Sequence, residues 1–554
     1  MQRVIIAVVL AYVATACTVN PRPTTGVSRV PDQPDSKTLL HVLNRTEFGP
    51  RPGDIERVRA QGLAAYLDEQ LHPESLPDRA LLSRLDSLPA LALTPRVFAT
   101  DYYAPMVAAR QEYANTQKDA TGKTTLPFLR GHLQPIAAAT LPGGDKAVTI
   151  LQQPALTQEE ILFQRRNQEA FDQLQAAKLL RAVYSERQLQ EVLTDFWFNH
   201  FNVDARKIED RPVVVEYERD VIRPRVLGHF RDLLGATAKS PAMLFYLDNW
   251  LSSAPPTPAK PRPHARAMAP PPRPTGRGLN ENYGRELMEL HTLGVDGGYT
   301  QRDVVEVARC FTGWTLRNPR DGLGFVFDDK MHDRGEKRVL GHRIKAGQGV
   351  EDGEAVLDIL ARHPATARFV STQLLRRFVS DDPPKALVER IARTFRQTDG
   401  DLREVMRAIL MSSEFLAPEA YRAKVKNPFE FVVSALRATN ASITNPRSLV
   451  GTIAAMGEPL YQYQAPTGYG DRATVWVNAG TLITRLNFAM AFAANGQNAA
   501  TVDPTLTAGG IEAWSAAVLA DDLSPATRAA IQSPRATAPL RLGLLLGSPE
   551  FQRR

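Results

Sequence analysis

Apolar residues in this chain recur with the spacing of a helix face far more often than with strict alternation, and that periodicity rules out most β architectures. In DIERVRAQGLAAYLDEQL (54–71), Ile55, Val58, Leu63, Tyr66, Leu67 and Leu71 follow a 3.6-residue repeat. Similar patterning runs from Ser36 to about Leu93, over about 158–202 and 214–250, and again after Gly353. The late helical segments are HPATARFVSTQLLRRFV, DLREVMRAILMSSEF and NPFEFVVSALRAT. ILMSSEF (409–415) and LLGSPEF (545–551) look like similar helix-ending devices, with no repeat of fixed period between them. The best β candidate is GFVFDDKMHDRGEKRVLGHRI (324–344), where Phe325 and Phe327 alternate and Asp333-Arg334-Gly335-Glu336 supplies a turn. The expected fold is mostly α: one large multi-helix domain with a small β-hairpin near 324–344.

Two stretches interrupt the helices. Residues 100–155 carry Gly, Thr and Lys clusters and read as an insertion. Residues 252–278 hold nine prolines, five Lys or Arg and no acid, so they form neither a helix nor a central strand. With 554 residues, 43% of them apolar, the chain has enough apolar material for one large elaborated domain over 36–554. A net charge of +7 is mild for this length, and no basic run is interleaved with aromatics, so nucleic acid is not an expected partner.

The N-terminus, MQRVIIAVVLAYVATA, has an Arg-bearing start and an apolar stretch too short to span a bilayer. It ends in Ala14-Thr15-Ala16, so residues 1–16 read as a signal peptide. Cys17 follows at once. Two outcomes stand: a mature Cys17 lipidated as in bacterial lipoproteins, or simple cleavage after Ala16. The first places the protein in the periplasm or at the outer membrane, touching the membrane through its lipid alone; the second leaves it secreted. Residues 17–35 are Pro/Thr-rich and read as a tether. Cys310 is the one other cysteine, so no internal disulfide framework is expected, and its apolar neighbours suggest a buried small hydrophobe.

Two helices carry polar residues where apolar ones belong. In GLNENYGRELMELHTLGVDGGYT (278–300), a helix over 281–293 is expected, capped by Asn280 and terminated by Gly294. Tyr283, Leu287 and Leu290 share its apolar face, with Leu293 at the edge. Glu281, Arg285 and Glu289 make an i, i+4 ladder on the far side. Glu286 falls inside the apolar arc, with Asn282 one turn away and His291 at the opposite margin. A carboxylate there must be paired, hydrogen-bonded, metal-bound or protonated.

In SERQLQEVLTDFWFNHFNV (185–203), Ser185 and Gln188 suggest a capping box and a helix starting at Glu186. Leu189, Val192, Leu193, Phe196 and Val203 line one face, and His200 falls within it beside Asn199. Glu286 and His200 are therefore expected to meet. One outcome is a buried Glu–His or His–carbonyl contact that fixes helix register. The other is a cleft where His200, Glu286 and His291 move protons or bind a metal, with Asp195, Asn199 and Asn282 at hand. No HExxH spacing supports the metal. His332 and Asp333 offer another imidazole–carboxylate pair, which turn chemistry also explains.

No G-x-S-x-G elbow, P-loop, dinucleotide fingerprint or C-x-x-C-H haem site appears. In GGYTQRDVVEVARCFTGWT (297–315), Thr300 and Asp303 suggest an acidic capping box, and Trp314 suits either core or a sugar-stacking platform. YQYQAPTGYGDRATVWVNAGTLITRLNFA (461–489) is a Tyr/Pro/Gly loop followed by a helix. Its Tyr461, Tyr463, Tyr469 and Trp476 suit a binding-site rim or plain packing.

HVLNRTEFGPRPGD (41–54), DFWFNHFNV (195–203), MLFYLDNW (243–250), residues 278–315, KVKNPFEFVVSALRAT (424–439) and PTGYGDRATVWVNAGTL (466–482) together resemble a bacterial family of exported proteins, domain of unknown function 1800. The resemblance runs in order from about 36 to 554 and implies one elaborated helical domain with variable insertions at about 100–155 and 252–278. Its signature residues correspond to Asp195, Trp197, Asn199, His200, Asn282, Arg285, Glu286, Glu289, His291 and Gly294, none with an established catalytic role. The resemblance also implies a partner, a second exported protein similar to sulfatases and alkaline phosphatases. The expected function is an exported cell-envelope protein, a non-catalytic assembly, export or polymer-associated factor; the alternative is an envelope hydrolase or oxidoreductase with a His/Glu interhelical site.

Overall fold

The Gln158–Tyr184 helix is the longest of the described helices and a hub for several others. Thr157 and Glu160 start it with a capping box, each side chain accepting from the other's backbone N–H. The helices Arg79–Leu85, Pro212–Glu216, Pro428–Ala438 and Pro446–Ala455 all lie against it. One contiguous apolar core runs through the sequence from Leu39 to Phe551. This computed structural model describes residues 30–116, 134–135, 151–152, 157–207, 211–254, 278–317, 322–496, 498–508 and 510–554. Residues 1–29, which hold the expected signal peptide, Cys17 and most of the expected tether, lie outside the described residues, as do most of 117–156 and residues 255–277. Among the described residues no helix is long and apolar enough to cross a membrane.

Several local expectations change. The start of the 100–155 stretch, expected to be an irregular insertion, forms a π-turn over Ala99–Tyr103 followed by the Ala104–Thr116 helix. Its apolar residues make no continuous stripe, so its periodicity was faint. Phe98, Met106 and Phe163 form a small satellite core there. Ser185 does not start the next helix; it ends the long one. Its hydroxyl donates to Asp78 (2.7 Å) and accepts from the Arg187 N–H (3.0 Å). The Gln188 amide donates to the Ala182 and Ser185 carbonyls and accepts from the Phe48 N–H, so no capping box closes and the helix is Gln188–His200.

The Glu281–Glu289 helix is capped by Asn280, whose side chain accepts from the Asn282 N–H. It stops a turn before residue 293. The Thr292 hydroxyl takes the Leu287 carbonyl (2.7 Å), and the His291 N–H reaches back to Glu286. Gly294 has a φ of +80°. The next helix, Gln301–Cys310, has the Thr300–Asp303 capping box, and Val304, Val307, Ala308 and Phe311 are buried. Cys310 is buried, and burial pushes its thiol pKa up. Trp314 is fully buried core, so it is no stacking platform.

Near 324–344 the chain makes a hairpin from Lys337–Val339 and His342–Ile344, turning at Leu340 and Gly341, both with positive φ. Asp333–Glu336 is therefore not the hairpin turn. Phe325–Phe327 pairs instead with Trp314–Leu316. At the base of the Pro-rich stretch, the Ser253 N–H donates to the Gly278 carbonyl (3.1 Å) and the Ala254 N–H to that of Met331 (2.7 Å).

Candidate functional site

A cavity of about 250 Å³ opens between the Gln188–His200 helix, the Pro364–Phe378 helix and the loop 458–476. The first helix buries Leu189, Val192, Leu193, Trp197 and Phe198. Asp195, Phe196, Asn199 and His200 face the cavity together with an edge of Phe198, and Asn202 continues the stripe just past the helix end. Asp195, Asn199 and Asn202 stand at i, i+4 and i+7, one helix face.

The two asparagines shape the opposite wall. The Asn199 amide donates to the Tyr469 carbonyl (2.8 Å) and accepts from its N–H (2.7 Å). Asn202 donates to the carbonyls of Tyr463 (2.9 Å) and Ala465 (2.8 Å). Gly468 makes this approach possible: it has a φ of +64°, and a Cβ there would lie 2.2 Å from the Asn199 carbonyl oxygen. Held in this way, the loop brings Tyr461, Tyr463, Tyr469 and Trp476 onto the cavity. The Tyr463 and Tyr469 rings are 4.4 Å apart and those of Tyr469 and Trp476 5.7 Å apart.

The floor is charged. Lys178 Nζ stands 2.5 Å from Asp195, over the Tyr461 ring at 4.9 Å. Burial works against its ammonium, but the Asp195 and Glu218 carboxylates outweigh that and hold its pKa above the usual lysine value. Arg377 places Nη1 2.7 Å from Glu430, with Asp471 at 3.6 Å and Asp195 at 3.8 Å. Arg554 grips the same Glu430 at 3.1 Å. Burial opposes the Glu430 charge, yet Arg377 and Arg554 lower its pKa to about 2. Glu458 behaves oppositely. Burial, then the Asp195 carboxylate, pushes its pKa up to about 8, and the Phe429 N–H at 2.8 Å only partly offsets them. It therefore holds a proton at neutral pH.

His200 does not meet Glu286. Its Nε2 donates to the His291 backbone carbonyl at 3.1 Å, a contact that pins the end of one helix to the turn after the other. A ring N–H facing a carbonyl leaves Nδ1 as the acceptor edge. Burial lowers the His200 pKa to about 4, so the ring is neutral at pH 7. The His291 ring is buried beside Phe201, its Nε2 has no hydrogen-bond partner among the described residues, and burial followed by His200 lowers its pKa to about 3.

Glu286, Asn282 and His291 do not line the cavity. Asn282 is exposed and Glu286 half-buried. The Glu286 carboxylate makes no hydrogen bond among the described residues, and burial together with Glu289 raises its pKa against the pull of Arg285. The Glu281–Arg285–Glu289 face is clasped by Gln301 and Tyr299 and stays partly exposed. His332 belongs to another place, where its Nδ1 donates to the Thr312 carbonyl (2.8 Å) and its Nε2 stands 3.1 Å from Asp352. Lys337 also binds Asp352, and all three side chains are sealed from solvent. Asp333 turns away to Arg309. Among the described residues no group of three or more His, Cys, Asp or Glu side chains is placed to hold a metal ion, so His200, Glu286, His291 and His332 do not form a ligand set.

Sequence reasoning missed Lys178, Arg376, Arg377, Glu458 and Asp471 on this cavity. The signal that could have led to it was the Asp195–Asn199–Asn202 stripe on an otherwise aromatic helix.

The fold and the cavity together define a helical protein with an aromatic, charge-floored pocket. A family model described as "Protein of unknown function (DUF1800)" matches residues 41–553, and the chain belongs to that family. No curated protein matches it significantly, and no solved structure does.

Proposed function

We propose that this is an exported cell-envelope protein that holds one unit of an envelope polymer in the 195–476 cavity and works beside a second exported protein. The observation that carries the binding role is the cavity itself, with Tyr463, Tyr469 and Trp476 on one wall and amide and charged groups on the others. Flat aromatic faces with a few convergent polar groups are how proteins hold small polar rings. The signal-like N-terminus motivates the exported location. The test is calorimetric titration of the full chain with cell-wall and extracellular-polysaccharide fragments, combined with co-purification from envelope extracts in mild detergent. Absence of binding to every fragment would remove the binding role, and a solitary monomer in the extracts would remove the partner.

A second reading, a hydrolase, is favoured by one observation. Neutral His200, a weakly basic acceptor at Nδ1, and protonated Glu458, a proton donor, line the same cavity at pH 7. Hydrolysis of bound fragments that vanishes in Glu458→Gln, while binding persists, would move the assignment to this reading.

A further inference from the structure

We propose that the unit held in this cavity is a carboxylated sugar, its ring against Tyr463 and Tyr469 and its carboxylate on the Arg376–Arg377 edge. The inference rests on the cavity being the binding site and names what it selects. Arg377 is nine-tenths buried, yet among the described residues its Nε and Nη2 have no hydrogen-bond acceptor; Asp195 lies 3.8 Å from Nη2, too far for one. Buried guanidinium N–H groups are rarely left unmet, because their desolvation goes uncompensated. Arg376, adjacent on the same helix and also lining the cavity, bonds only to neutral acceptors, Gln373 Oε1 (2.8 Å) and the Asp381 carbonyl (3.2 Å). Its charge faces no carboxylate within ion-pair distance among the described residues.

The rest of the lining points the same way. Arg472 is neutralised at the mouth by Asp382 (2.6 Å), and Lys178 by Asp195 (2.5 Å). Glu458, the one further glutamate on the wall, carries a proton at neutral pH and donates to a ligand oxygen instead of repelling an anion. Arg377 is charge-compensated by Glu430 (2.7 Å) and by Asp471 (3.6 Å), which lines the same cavity, so the unpaired positive charge sits on Arg376 with the unmet N–H groups of Arg377 beside it; planar forks of this kind suit a carboxylate. An inorganic anion would use that edge alone and leave the tyrosine wall bare. A carboxylated ring uses both.

Isothermal titration calorimetry of the full chain decides it, using a glucuronate-containing tetrasaccharide and its carboxyl-reduced, neutral counterpart. Free glucuronic acid, as a third titrant, separates a monosaccharide source from a polymer. The acidic oligomer is expected to bind at least about tenfold more tightly than the neutral one, the loss typical of one charge-assisted pair. Arg376→Gln should bring the acidic oligomer to the neutral one's affinity, and Tyr463→Ala should weaken both alike. Arg377 is left untouched because its loss would strand Glu430; Arg376→Lys, which keeps charge without the fork, guards against a folding defect in Arg376→Gln. Equal affinity for both oligomers would overturn the carboxylate assignment and leave the cavity a binding site. No binding of either, by a chain with a normal melting transition, would overturn both.

Discussion

Glu458 and His200 face one cavity and pull the stability of the protein in opposite directions with pH. The Glu458 carboxyl ordinarily titrates near 4.5 and holds its proton to about 8 in the fold. Between those values the folded chain binds the extra proton, so stability falls as pH rises through the window. Glu458→Gln is expected to match the parent below about pH 4.5 and to melt at higher temperature than the parent at pH 8. His200 ordinarily titrates at 6.5 and drops to about 4 on folding. There the unfolded chain takes the proton first, so stability is lost as pH falls from 6.5 towards 4. His41 and His291, each lowered to about 3, add to that slope. His200→Asn should flatten it; melting curves at closely spaced pH values check both, and an unchanged slope in either variant counts against the assignment. Asn199→Ala removes both bonds to Tyr469 and should cost about 1–3 kcal/mol, with faster amide exchange at Tyr469 as the local readout.

At the scale of elements, the contact between Glu281–Glu289 and Gln301–Cys310 depends on Gly284. A Cβ there would stand 3.1 Å from the Ala308 nitrogen and the Val304 oxygen, both backbone atoms that cannot swing aside. Gly284→Val is expected to destabilise by about 1–3 kcal/mol through overpacking, read as a shift in denaturant midpoint at constant slope. The same pair of helices shows where the sequence was legible and where it was not. Capping boxes are local, so Thr300 with Asp303 could be read directly. The Glu286–His200 meeting could not, because an ideal wheel was carried to residue 293. The helix ends at Glu289, where Thr292 captures the Leu287 carbonyl and turns His291 away. Ser185 and Gln188 had the right spacing for a cap, but Asp78 and Phe48, more than a hundred residues upstream, claimed their side chains. Ser412 and Ser548, by contrast, each accept the N–H of the phenylalanine three residues on, a device shared by ILMSSEF and LLGSPEF, although Ser548 uses it to start the Pro549–Gln552 helix and not to end one.

Across the whole molecule, Lys178, Asp195, Arg377, Glu430 and Arg554 form a relay of buried charge joining segments that are remote in sequence. No local pattern announces such partners, so nothing around Lys178 or Arg376-Arg377 in the sequence marks them out. Arg554→Met should cost about 3 kcal/mol, since it leaves half of Glu430's compensation missing; a melting temperature equal to the parent's would disprove the relay. The closed base of the Pro-rich stretch has a practical sequel. Because Ser253 and Gly278 are already hydrogen-bonded neighbours but the two segments run parallel, replacing residues 255–277 with a Gly/Ser linker of about a dozen residues, long enough for the crossover, is expected to leave the melting transition in place. A fluorescent reporter or affinity handle spliced there would ride on the finished protein without asking the core to rearrange, so the chain comes with its own socket for labelling.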